Sequence, residues 1–286
     1  MLNSRVHLIT FGGGNFAYRR SARRIALQAE ASGIFETITK VTDKSFRIYC
    51  SHAWDKHQEF MVNSKKGFGY WLWKPTIILK RLSEIPSGDI LLYLDAGCEL
   101  NLLSKEPRDR LAWYFKLVTQ HGSLAMQLND VPEIGLYPTE NRFSKDSLIQ
   151  AMKPSAENLS ENQLMATVML FTNNDVNQEF LKRWGGVAVS QNYSLLTDDL
   201  RPDQNAGFVG HRHDQSIFSI LYKESGMFYI RDETNWKPDW MGEGSIYPIW
   251  AMRNRTGISK GVMRIPDYVD RAVLRLEIFA KALKRK

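Results

Sequence analysis

The side chains that could do chemistry fall into three clusters. Asp95 ends the apolar run Ile90-Leu91-Leu92-Tyr93-Leu94. In open α/β sheets ligands bind beyond the carboxyl ends of strands. A carboxylate there can hold a divalent metal, accept hydrogen bonds from a ribose, or cap a turn. Gly210-His211-Arg212-His213-Asp214-Gln215 gathers two imidazoles, a guanidinium, a carboxylate and an amide at the start of a helix. Asp214 alone would pass for an N-terminal cap. A cap does not account for His211, Arg212 and His213, and imidazoles ligate metals or transfer protons. Trp250-Ala251-Met252-Arg253-Asn254-Arg255-Thr256-Gly257 sets two arginines and an asparagine beside a glycine. Guanidinium groups bind phosphate bidentately, which suits a diphosphate; an ordinary basic loop would look the same.

Standard templates fit less well. Gly12-x-Gly14-x-x-Ala17 stands between a strand and a helix and formally matches a dinucleotide fingerprint. The acid that this fingerprint needs about 20 positions on, at the end of the next strand, is misplaced. Glu30 falls within the helix and Glu36 too early in the strand. No GxxxxGK[ST], HExxH or GxSxG run occurs. A formal charge of +7 attracts polyanions. The basic residues are scattered, however, and no nucleic-acid-binding module is recognisable, so nucleic acid is not an expected partner.

The elements that must position these clusters alternate. Residues 6–11 are apolar and β-branched and run into Gly12-Gly13-Gly14, which predicts a buried strand and a tight turn. Helices are predicted from Asn15 to about residue 31, over 52–62, and from Lys74-Pro75 to residue 85, where proline suits a first turn. Strands are predicted over 36–41 and 89–94, the second apolar on both faces, as at the centre of a parallel sheet. A helix over 111–120, strands over 124–128 and 166–172, helices over 176–184 and 215–224, and a short strand over 228–231 complete the pattern. Alternation of this kind argues for an α/β fold with right-handed crossovers. The polar stretch 129–160 reads as an excursion over the active face. With 286 residues, 43% apolar and 24% charged, and no linker, one domain over residues 1–266 is expected. Residues 267–286 form a basic amphipathic helix by pattern, which suits either an anionic membrane surface or packing on the domain. Cys50 and Cys98 lack ligand spacing and fit a reducing cytosol. No apolar run approaches the ~20 residues of a spanning helix. The expectation is therefore a cytoplasmic protein, peripheral at the inner face of the plasma membrane if the last helix docks there.

Three stretches carry a resemblance. Lys66-Gly67-Phe68-Gly69-Tyr70-Trp71-Leu72-Trp73-Lys74-Pro75, Gly88-Asp89-Ile90-Leu91-Leu92-Tyr93-Leu94-Asp95-Ala96-Gly97-Cys98 and His211-Arg212-His213-Asp214-Gln215-Ser216 resemble a group of bacterial GT-A-fold glycosyltransferase-like proteins of surface-polysaccharide (capsule and O-antigen) gene clusters. The resemblance extends from Thr10-Phe11-Gly12 to Arg253-Asn254-Arg255-Thr256-Gly257. It implies a Rossmann-like central mixed sheet flanked by helices, and transfer from a nucleotide-diphosphate sugar, a UDP-sugar first, to a saccharide or lipid-linked acceptor. In GT-A enzymes a strand ends in Asp-x-Asp and holds Mn2+ or Mg2+ on the donor diphosphate. Asp95 matches the first Asp; Gly97 stands where the second belongs, and Glu99 is the nearest substitute. Asp214-Gln215 is similar to the Asp-Gln pair of retaining family 8, which lies beside the reacting carbon.

The resemblance implies a role for each site residue. Asp214, Gln215 and His213 are the expected catalytic groups. Asp95, Lys74, Arg253, Arg255, Trp71, Trp73 and Gly12 are the expected donor-binding residues, with Asp95 the metal ligand. If Asp95 lacks a second carboxylate, Arg253, Arg255 and Lys74 supply the positive charge that the leaving diphosphate needs. Trp71 and Trp73 are expected to wall the sugar, or else to be core. Two other readings stay open. One is a non-catalytic nucleotide- or sugar-binding module of the same fold, which Gly97 favours. The other is an NAD-dependent sugar oxidoreductase, which rests on Gly12, Gly14 and Ala17.

Overall fold

Alternation of apolar side chains to both faces of one sheet organises the molecule. The computed structural model describes residues 4–64, 66–200 and 204–258. The chain runs β1 (Val6–Gly12), α1 (Phe16–Ser32), β2 (Thr37–Thr42), α2 (Asp43–Tyr49), α3 (Ser51–Asn63), a single irregular turn α4 (Gly67–Tyr70), α5 (Trp73–Glu84) and β3 (Ile90–Asp95). It continues with β4 (Glu99–Leu100), α6 (Lys105–His121), β5 (Ser123–Gln127), the short helices α7 (Glu140–Phe143), α8 (Asp146–Met152) and α9 (Ala156–Ser160), and β6 (Val168–Thr172). Then come α10 (Asp175–Val189), α11 (Asp214–Glu224), β7 (Tyr229–Arg231) and β8 (Ile249–Trp250).

Six strands form one sheet in the order β2-β1-β3-β6-β5-β7. β1 is parallel to β2 and β3, and β5 is parallel to β7. β6 alone runs against its neighbours β3 and β5. The sheet is thus mixed but mostly parallel, and helices cover both faces. Ile9, Phe11, Leu91, Tyr93, Met169 and Phe171 point to one core, with α5, α10 and α11. Leu8, Ile90, Leu92, Leu94, Val168 and Leu170 point to the other, with α1 and α6. The period of two explains why residues 90–94 are apolar without interruption. β4 and β8 form a separate two-stranded antiparallel pair that ties Glu99 to Trp250.

Local chemistry sets the boundaries. Asn15 caps α1 by accepting from Tyr18 N at 3.1 Å, and Gly33 ends it in the left-handed region. At Gly12 a Cβ would stand 2.1 Å from Tyr18 O, so this glycine is what lets α1 approach β1. α2 has no counterpart among the predicted helices; a capping box between Thr42 and Ser45 starts it directly at the end of β2. Residues 129–160, read as an excursion over the active face, bring Phe143 against Arg212. They break into short helices that pack against α11, with Glu140 fully buried beside Lys223. The helix expected at 267–286 lies outside the described residues. Among the described residues no helix is long and apolar enough to cross a membrane.

Candidate functional site

Asp95 leaves β3 at the carboxyl edge of the sheet, and Asp214 opens α11. The two are far apart in sequence and meet on a single ammonium. Lys74 Nζ lies 2.8 Å from Asp214 Oδ2 and 3.3 Å from Asp95 Oδ1. It also donates to Ala166 O at 2.9 Å. Lys74 sits in the first turn of α5, where the entry of the helix points its side chain under the end of β3. Its side chain is buried, as is that of Asp214, while Asp95 keeps 31% of its side-chain surface. Tyr93 donates its hydroxyl to Asp95 Oδ1. Asp95 therefore holds one oxygen inside the cluster while its carboxyl reaches solvent.

The charge balance of this cluster is negative: two carboxylates share one ammonium. Burial pushes the Asp214 carboxyl up to about 6, opposed by Lys74 and reinforced by the charge of Asp95. Burial alone would lower the Lys74 ammonium, but the two carboxylates outweigh it and raise it. Burial and its neighbour Asp95 also hold the Tyr93 phenol far above its ordinary value, so it stays a donor.

The other expected residues divide between the cluster, its rim and the core. Gln215 is next to Asp214, and its Nε2 donates to Gln163 Oε1 at 3.0 Å. The His213 ring turns away from the two carboxylates: Nδ1 meets Leu196 O at 3.0 Å and Nε2 lies 3.5 Å from Asp198 Oδ1. Burial lowers its pKa, and the carbonyl can only accept, so Nδ1 carries the proton. Trp71 is half-buried and stacks near that ring, at 5.7 Å between centroids. Trp73 is a core residue and does not wall a pocket. It is 4% exposed, lies 3.7 Å from the Phe11 ring, and gives its indole N–H to Gly67 O.

Arg253 and Arg255 separate. Arg253, at φ 52°, stands over Gly97, whose added Cβ would meet Arg253 Cα at 3.3 Å. Arg255 lies over the Tyr18 ring on α1, 5.7 Å from its centroid. Asn254, fully buried between them, pins the segment: its N–H donates to Gly97 O at 2.9 Å and its Nδ2 to Glu99 Oε1 at 2.6 Å. Gly97 is therefore where a second segment of the chain docks, and a side chain there would press on the Arg253 backbone. Glu99 does not substitute for the second acid of an Asp-x-Asp pair, because it is buried and engaged by Asn254. Among the described residues no group of three His, Cys, Asp or Glu side chains is placed to hold a metal ion. The carboxylates that a divalent cation would need are already joined by Lys74, so this donor set does not fit one.

Further residues complete the site. Arg212 lies 3.7 Å over the Phe143 ring. Tyr70 donates to Asp198 Oδ2 at 3.0 Å, and Lys66 pairs with the same carboxylate at 2.8 Å. Behind Gln215, Gln163 Nε2 donates to Glu140 Oε2 at 3.0 Å and to Phe143 O at 3.2 Å. Arg212 stands out in the sequence by its place beside Asp214. Gln163 and Glu140 carry no local signal, since their burial comes from tertiary packing alone.

No family model matches the chain, and no curated protein matches it in sequence. Solved structures do resemble it. A glycosyltransferase involved in the glycosylation of the major capsid of PBCV-1 is 11% identical, covers 86% of this chain and 93% of its own, and has a TM-score of 0.47. An active-site mutant of LgtC is 14% identical over 90% of this chain and 85% of its own, with a TM-score of 0.47. Mouse xyloside xylosyltransferase 1 is 11% identical over 86% of this chain and 97% of its own, with a TM-score of 0.43.

Proposed function

We propose that this chain is a glycosyltransferase. It moves a sugar from a nucleoside-diphosphate donor, a UDP-sugar first, to a hydroxyl of a saccharide or lipid-linked acceptor in the synthesis of a surface polysaccharide. The observation that carries the reading is the meeting of Asp95 and Asp214 on the buried Lys74 ammonium at the carboxyl end of β3. That is where an open α/β sheet binds its ligand. A net negative cluster there stabilises the positive charge that develops on an anomeric carbon as its leaving group departs.

The reaction balances with groups on hand. The bond from the anomeric carbon to the diphosphate oxygen breaks, and its electron pair leaves with the nucleoside diphosphate. The acceptor oxygen forms the new bond to that carbon, and its proton goes to Asp214. A carboxyl raised to about 6 is a better base at neutral pH than an ordinary one. Gln215 orients the sugar beside it. Trp71 offers a ring face to sugar C–H groups. His213 and Asp198 hold the segment that carries Trp71. The site works in the cytoplasm in this reading, with residues 267–286 drawing the protein to the membrane that bears a lipid-linked acceptor.

Calorimetric titration with UDP, GDP, CMP and NAD tests the proposal. Micromolar binding of one nucleoside diphosphate, followed by turnover of its sugar derivative, is the expected result. Binding of NAD alone would replace transfer by redox chemistry, and nucleotide binding without turnover of any sugar derivative would leave a binding module.

A further inference from the structure

Two arginines lie on the chain segments that flank the carboxylate cluster. Arg212 immediately precedes His213 and Asp214, and its guanidinium carbon lies 3.7 Å from the centroid of the Phe143 ring. The backbone of Arg253 packs on Gly97, two residues beyond Asp95. Among the described residues neither guanidinium forms an ion pair with a carboxylate; Arg5, Arg19, Arg81 and Arg110 do, and Arg20, Arg47 and Arg255, which lie over aromatic rings, do not. Arg253 takes a left-handed backbone conformation, which a non-glycine residue adopts at a cost. That conformation is held by the Asn254 hydrogen bonds to Gly97 and Glu99 and by the buried Arg24, whose guanidinium donates to Ala96 O and Cys98 O at 2.9 and 2.7 Å. Burial and the like charge of Arg253 push the Arg212 guanidinium down to about 10, so the two arginines feel each other's charge. Placing two like charges together, without an anion between them, costs energy that a bound anion recovers.

We propose that Arg212 and Arg253 clamp the diphosphate of the donor, and that this chain binds and turns over its nucleotide ligand without a divalent cation. The proposal rests on the donor reading above. Three fixed cations take the place of one metal. Lys74 bridges Asp95 and Asp214 where a cation would bridge a carboxylate to the ligand. The two guanidinium forks supply planar, bidentate donors to the diphosphate oxygens and take up the charge that develops on them as the glycosidic bond breaks. The Phe143 ring fixes the plane of the Arg212 fork before the ligand arrives.

Binding of inorganic pyrophosphate, UDP and GDP is to be measured by calorimetry in EDTA and again in manganese. The proposal expects Kd values that agree within about twofold in the two buffers, since no protein ligand awaits the metal. Arg212→Ala and, independently, Arg253→Gln should weaken pyrophosphate binding at least tenfold. Arg212→Lys, which keeps the charge and loses the fork, should recover only part of the loss. Lys182→Ala, a surface lysine paired with Glu179, should change nothing. A nucleoside diphosphate that binds only with manganese would overturn the clamp and leave the donor reading standing. Pyrophosphate bound through Arg212, with no nucleoside diphosphate bound, would keep the clamp and sink the donor reading. Wild-type affinity in folded Arg212→Ala and Arg253→Gln proteins would also overturn the clamp.

Discussion

β3 carries a carboxylate at each end, and the two ends behave oppositely. Asp89, just before the strand, accepts from Arg5 N at 3.0 Å, Arg5 Nε at 3.1 Å and His7 Nε2 at 3.1 Å. Burial alone would raise its carboxyl, but the His7 and Arg5 contacts outweigh this and lower it. Asp95 and Asp214, at the other end, divide one ammonium, and Asp214 is held up to about 6. Close by, Arg212 and Arg253 go without carboxylate partners among the described residues. The Asp89 pole is balanced and closed on itself. The Asp95 pole leaves anions under-compensated and cations unspent, which a purely structural cluster has no reason to do.

Breaking each pole should therefore give different losses. Asp214→Asn is expected to lower kcat by ~10²–10⁴-fold, the range for a general base, with little loss of stability because a buried, under-compensated charge is removed. Asp89→Ala should leave kcat unchanged and cost about 1–3 kcal/mol, because buried donors lose their acceptor. Donor turnover and urea unfolding on both variants decide it. Equal kcat losses would erase the distinction between the poles.

Removing the cations sharpens the contrast. Lys74→Met strands two carboxylates together, and loss of one partner from a buried ion cluster costs about 3–5 kcal/mol. Arg5→Met at the other pole should cost less than about 1 kcal/mol, since half of that side chain is in water and His7 still holds Asp89. Chemical denaturation measures both.

The pH dependence should separate the poles by sign. Asp214 has its folded pKa raised from 3.8 to about 6. Between those values the folded state binds the extra proton, so stability falls as pH rises through this window. Asp89 is lowered in the folded state. Its contribution is present above 3.8, the ordinary value, and is lost as pH falls through the lower folded value. Stability curves of Asp214→Asn should lose the decline between about pH 4 and 6, and those of Asp89→Asn should lose the acid-side drop. An acid limb in kcat/KM near pH 6, absent from any residual activity of Asp214→Asn, would accompany the first.

The frame of this site was legible because its signals are local. Five uninterrupted apolar residues before Asp95 mark a strand covered on both faces, and the carboxyl-end rule then singles out Asp95. The Lys-Pro pair marks the start of α5. What joins these pieces was not local. Lys74 meets Asp214 only because α5 and α11 share one face of the sheet, 140 positions apart in sequence. Trp71 and Trp73 are two residues apart and look alike on paper, yet one stacks by His213 and the other is sealed against Phe11. Glu99 has the residue type of a metal ligand, but the Asn254 segment, far along the chain, folds onto it. Gly97→Asp, which writes the second acid of the motif back, tests that point. It should not create a metal site: the new side chain presses on Arg253, at a cost of about 1–3 kcal/mol, and manganese should not raise its Tm.

The smallest expected effect concerns how Gln215 is aimed. Gln163 Nε2 faces the Glu140 carboxylate and the Phe143 carbonyl, both of which only accept. Its oxygen must therefore face Gln215, and Gln215 must answer with its own amide N–H groups. That turns the Gln215 oxygen away from Gln163. Glu140 is itself held by Lys223 at 3.1 Å and by Ser219, so the orientation is set well behind the site. Gln163→Met keeps the volume and removes the instruction. With one hydrogen bond of about 1 kcal/mol at stake, kcat should fall roughly five- to tenfold, while the donor KM stays within about twofold. A change in KM alone would mean that Gln163 shapes the pocket and does not orient Gln215. Unchanged kcat and KM in a folded variant would show that the Gln215 amide finds its position without help.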